Sequence, residues 1–179
     1  MLIISSLAAA LITTTTAAAL PVAALPPMIV TVSAAPDLSP SFVNALLAHA
    51  DVVWRGTGVV FVWQRDVVRA VTTYMPQTLR VVIGHKARAS EESLLPLGWI
   101  VFDDPQSPQN EIYLSYDNAR TLLDRSPGVV GVVNSMPRAE IETYLSRAMG
   151  RALAHELGHY LSASKVHTAK GLMLSLIHI

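Results

Sequence analysis

Hydrophobic and polar positions follow two rhythms along this chain, and the changes between them mark its elements. Residues 28 to 33 (Met-Ile-Val-Thr-Val-Ser) form a β-branched apolar run that reads as a strand. The spacing then lengthens. Phe42, Ala45, Leu46, His49, Val52 and Val53 recur at helical intervals, with Ser39 or Ser41 placed to cap the helix and Gly56 and Gly58 to end it. Strands are predicted at 59 to 63, 79 to 84, 98 to 102 and 111 to 116, each bounded by Gly, Pro, Asp or Asn. Turn-forming residues fill 103 to 110 (Asp-Asp-Pro-Gln-Ser-Pro-Gln-Asn), so the last two strands are expected to be antiparallel neighbours. A short helical piece follows at 117 to 124, then a loop marked by Gly and Pro. A long helix is predicted from about residue 138 to 161, with Pro137 in its first turn and Glu140 and Glu142 near its positive end. The expected class is α+β with an α/β-like character: a twisted mixed five-stranded sheet and two main helices, the second of them carrying the candidate site.

That helix carries the chemistry. Its apolar stripe, Ile141, Leu145, Ala148 and Ala152, runs directly onto His155 and His159, so both histidines face the core side. Residues 155 to 159 read His-Glu-Leu-Gly-His. At 3.6 residues per turn the two imidazoles can hold one ion, with Glu156 beside them to take a proton from water. A chain with six His and six Glu produces this pattern by chance in roughly one shuffled sequence in a hundred or fewer. A metal needs a further ligand. There is no cysteine, which excludes thiolate ligands and disulfides, and no Asp or Glu follows Glu156. His167 and His178 are the downstream candidates. His167 is preferred, because Ser162-Ala163-Ser164 gives the chain room to turn back, whereas His178 lies in an uncharged terminal stretch. His49, on the apolar side of the first helix, and His85, at a strand end, read as structural.

His-Glu-Leu-Gly-His, a third His and then Gly171-Leu172-Met173 together resemble the metzincin-like zinc metallopeptidases. The resemblance covers roughly residues 28 to 173, including the element order of the metzincin amino-terminal subdomain. It implies one catalytic Zn2+ held by His155, His159 and His167, Glu156 as general base, and Met173 as the methionine of a turn beneath the metal. It also implies that a peptide or protein substrate pairs antiparallel with an edge strand, here Gly98, Trp99, Ile100, Val101 and Phe102. The sequence departs from the family at Ser162 and Lys165, which stand where a Gly and the third His are usual. The implied activity is that of an exported zinc-dependent metalloendopeptidase. Two other classes compete: a non-catalytic exported domain that binds zinc or a peptide, and an amidase acting on a non-protein amide. Glu156 separates the first, since a binding-only site gains nothing from a carboxylate beside the metal.

Composition narrows the setting. Lys plus Arg and Asp plus Glu balance at 13 each without charge runs, so nucleic acid is not an expected partner. Residues 1 to 35 contain no charged side chain, and small residues near 19 and 24 suit signal-peptide cleavage. Residues 1 to 24 are therefore expected to be a signal peptide of a bacterial protein exported to the periplasm or beyond. The Thr run at 13 to 16 and Pro21 argue against a stable membrane span. Residues 25 to 179 are expected to form a single catalytic domain without a full carboxy-terminal subdomain. The terminal Leu-Ser-Leu-Ile-His-Ile resembles adaptor-derived tails of assembled reading frames, so the native continuation is expected to diverge at residue 174.

Overall fold

The computed structural model describes residues 26–65, 78–85, 95–168, 171 and 173. The expected leader and the terminal residues 174–179, with His178, lie outside the described residues. Five strands, β1 (Met28–Ala34), β2 (Phe61–Arg65), β3 (Leu79–Gly84), β4 (Gly98–Asp104) and β5 (Ser107–Ser115), form one sheet in the order β2-β1-β3-β5-β4. Neighbours in β2-β1-β3-β5 run parallel, and β4 lies antiparallel to β5 at the edge. The chain thus has the α+β class and mixed five-stranded sheet expected of it.

Period-two patterning gives the sheet one packed face. Val30 and Val32 pair with Leu79 and Val81, and Val81 and Ile83 pair with Ile112 and Leu114, so the buried residues line up strand by strand. Ile29, one residue out of phase on β1, is 47% exposed. Against the packed face lie α1 (Pro40–Trp54), which buries Phe42, Val43, Leu46, Leu47 and Ala50, and α4 (Arg138–Ser162), which buries Leu145, Met149, Leu153 and Leu157. Ser39 caps α1 by accepting the Phe42 N–H at 3.1 Å. The helices meet at Gly150. A Cβ there would stand 2.5 Å from the His49 Cβ and 2.6 Å from the Leu46 carbonyl oxygen, so only the missing side chain permits this approach. None of the described helices is long and apolar enough to cross a membrane.

Two shorter helices, α2 (Tyr116–Asp124) and α3 (Pro127–Val130), lead from β5 to α4. His85, at the end of β3, joins three segments: its Nδ1 is 2.9 Å from Asp117 Oδ1 at the start of α2, and its Nε2 is 2.9 Å from Asp37 Oδ2 before α1.

The boundaries differ from the sequence expectation in physically instructive places. Residues 103 to 110 are mostly strand; the turn itself is the pair at 105 and 106. The two strands are antiparallel neighbours as expected, but extend further into the turn-rich segment, where Asp104 accepts the Gln106 N–H at 2.9 Å and Asp103 accepts from Gln109 at 2.6 Å. On β2 the strand begins at Phe61, because Gly58 adopts a left-handed φ of 80° after a 3₁₀ turn that delays the extended backbone. Pro137 caps α4 from outside its first turn, with extended ψ of 143°.

Candidate metal centre

The periodicity of α4 carries its core stripe through Leu153 and Leu157 and places His155 and His159 one turn apart, both buried. The helix then stops. Ser162 stays helical, its Oγ donating to the Gly158 carbonyl at 2.7 Å, and Ala163 takes the left-handed conformation with φ of 46°. The Ser164 N–H bonds back to the His159 carbonyl at 3.2 Å, and the chain reverses. This reversal returns His167 to the two helical histidines.

The three Nε2 atoms make a compact triangle. His155 and His159 are 3.0 Å apart, His155 and His167 3.2 Å, and His159 and His167 3.3 Å. Tetrahedral zinc with Zn–N distances of about 2.0–2.1 Å separates its nitrogen ligands by roughly 3.3 Å, so the triangle has the dimensions of three corners of one coordination shell. Protonation is arranged to match. His159 Nδ1 lies 2.7 Å from the Ser164 carbonyl oxygen, which only accepts, so the ring proton sits on Nδ1 and the Nε2 lone pair points into the triangle. Burial, and then the nearby His155 and His167, hold His159 below the usual imidazole range; burial and His155 do the same for His167. Both effects favour the neutral rings that a metal requires. The three histidines can hold a metal ion.

Glu156 follows His155 on α4 and lies in a dry setting against β4. It is buried, and that burial pushes its carboxyl up to about 7 although the Ile100 N–H donates to it and pulls the other way. A carboxylate poised near neutrality is suited to accepting and returning a proton. Beneath the helix, Met173 lies where a Cβ on Gly158 would be 2.4 Å from its Sδ, so the small fourth residue of His-Glu-Leu-Gly-His gives the thioether its seat. The Thr168 N–H donates to the Met173 carbonyl at 2.8 Å and closes the loop between them, with Gly171 at φ of 84°. From the side, the Trp54 indole N–H donates to the Ala154 carbonyl at 3.1 Å and ties α1 to the turn that precedes the first histidine.

The proposed substrate strand lies at the sheet edge, as β4. Gly98 and Ile100 approach Glu156, while Trp99 stacks on Tyr113 at 5.4 Å. Lys165 places its Nζ 5.1 Å from the centre of the Phe102 ring and so links the His167 loop to the edge. A cavity of about 490 Å3 opens between the hairpin turn at 105 and 106 and residues 162–166. His49 stands at the helix crossing and His85 between two aspartates, both away from the triangle.

Sequence reasoning did not reach the backbone partners, the Ser164 carbonyl and the Ile100 N–H. Main-chain groups leave no residue-type signal. The glycine at 98 was a usable sign, since a glycine inside a strand often marks a close approach. Compared with known proteins, the chain has no significant match to any protein-family description, curated sequence or solved structure.

Proposed function

We propose that the chain is an exported, zinc-dependent metalloendopeptidase. The observation that carries this reading is the Nε2 triangle of His155, His159 and His167, with a buried, neutral-range carboxyl on Glu156, the residue that follows His155 on α4. Three imidazoles leave a fourth position open, the arrangement of catalytic and not structural zinc sites. Bound zinc would supply the charge that acidifies a water molecule and polarises a carbonyl group. Glu156 then takes the proton of the attacking water and returns it to the leaving amine as the amide bond breaks. The Ile100 N–H holds the carboxylate in place for both transfers. Among the described residues β4 is the edge strand, and a sheet edge offers backbone donors and acceptors to an extended peptide, which favours a peptide over a small amide as the substrate. Export follows from the uncharged, Ala-rich leader.

The test is elemental analysis of the purified protein together with cleavage of a peptide library by wild type and Glu156→Gln. About one zinc per chain, with cleavage lost in the variant and zinc kept, is the expected result. A metal-loaded wild type that cleaves no peptide while Glu156→Gln binds the same metal equally well would favour a binding domain instead.

A further inference from the structure

Gly98 is the bare position on the packed face of the sheet. Its register partner is Leu114, and Ile100 two residues on pairs with Ile112, so positions 98 and 100 both point toward α4. The neighbouring packed positions carry Val, Ile or Leu. Backbone conformation does not explain the glycine, because the glycines with left-handed φ are Gly58, Gly131 and Gly171. Space does. A Cβ at 98 would lie 3.2 Å from Glu156 Cγ, 2.8 Å from Leu114 Cδ2 and 3.3 Å from the Tyr113 carbonyl oxygen. Glycine weakens a strand, so its presence at this position has to be compensated by the room it leaves.

That room is shared by the tip of Leu114 and the Glu156 stem. The same strand holds the side chain twice: the vacancy at 98 admits its Cγ, and the Ile100 N–H bonds its carboxylate. We infer that Gly98 is a positioning residue for Glu156, seating the stem so that the carboxylate reaches the Ile100 N–H and the side chain stays aligned with the histidine triangle. The inference rests on the reading of Glu156 as the general base. A side chain at 98 would displace a group whose work depends on its placement, and misplacement by about 1 Å costs on the order of a hundredfold in rate.

The experiment compares wild type, Gly98→Ala, Glu156→Ala and the double variant Gly98→Ala/Leu114→Val. The double variant removes the closest contact, with Leu114 Cδ2, and leaves the one with Glu156. Gly98→Ala is expected to keep one zinc and an unchanged KM, and to lose about ten- to a hundredfold in kcat. The Ile100 amide resonance, read in the metal-free protein, is expected to move toward its position in Glu156→Ala. The double variant is expected to remain impaired, and it gives the same two readouts where Gly98→Ala alone does not fold. Recovery of kcat in the double variant, or an Ile100 amide unmoved by Gly98→Ala, would overturn the assignment. If wild type cleaves nothing, the peptidase reading fails, while the amide shift still decides whether Gly98 seats Glu156.

Discussion

His159 Nδ1 and the Ser164 carbonyl oxygen lie 2.7 Å apart across the end of α4, so the residue that ends the helix reversal also sets the tautomer of a histidine that can hold a metal. Helix termination and metal chemistry share one hydrogen bond. The position of His167 follows from the same reversal.

His167→Ala is expected to lower zinc affinity by more than roughly a hundredfold, since loss of an outer-shell partner alone costs about 10- to 100-fold. Competition with a chelator of known affinity measures it. His49→Ala, remote from the triangle, is expected to bind zinc as wild type does; an equal loss in both variants would remove His167 from the ligand set.

Burial raises the Glu156 carboxyl from its ordinary 4.5 to about 7, so the folded, metal-free protein holds this proton where the unfolded chain has released it. Stability is then greatest below 4.5 and falls as pH rises toward 7, by up to about 3 kcal/mol. Glu156→Gln lacks this titration. Urea unfolding of the two metal-free proteins between pH 4.5 and 8 is expected to show wild type losing stability relative to the variant; parallel curves would contradict the burial argument.

Ala163 adopts φ of 46° at the end of α4, a conformation that costs a non-glycine residue about 1–2 kcal/mol. Ala163→Gly is expected to raise stability by about 0.5–1 kcal/mol after its own entropy cost, with zinc binding retained. Thermal melting of the two proteins decides it.

The Asp117 carboxylate, and after it Asp37, raises the His85 imidazole above its usual 6.5. A raised folded value stabilises the protein fully below 6.5, and the benefit disappears as pH rises through the higher value. His85 is 42% exposed at its side chain, so solvent screening keeps the effect below about 1 kcal/mol. His85→Asn is expected to be less stable than wild type at pH 6 and equal to it at pH 9 in chemical denaturation.

Much of this architecture was legible because local pattern and tertiary packing agree. The alternation that buries Val30 and Val32, the helical spacing of Phe42 and Leu46, and the Ser39 cap each serve the observed fold. The stripe from Ile141 to Ala152 leads to His155 and His159 for the same reason. The hairpin around 105 was less legible, since Asp103 and Asp104 have turn chemistry but use it across an extended pair. Glu156's neighbours were hidden for a different reason. Gly98 and Ile100 lie far from it in sequence, and no periodicity within β4 encodes which helix residue it meets.

The three histidines and Met173 fall between residues 155 and 173; the Ser164 N–H to His159 carbonyl bond turns the chain back toward His167, and the Thr168 N–H to Met173 carbonyl bond follows it. Closing so short a segment costs little chain entropy, whereas bringing β4 to Glu156 must wait for long-range strand pairing. The histidine triangle is therefore a local structure, whereas the seat of Glu156 on β4 is a long-range one. Under the proposed function, metal content would report on the first of these and peptide cleavage on both.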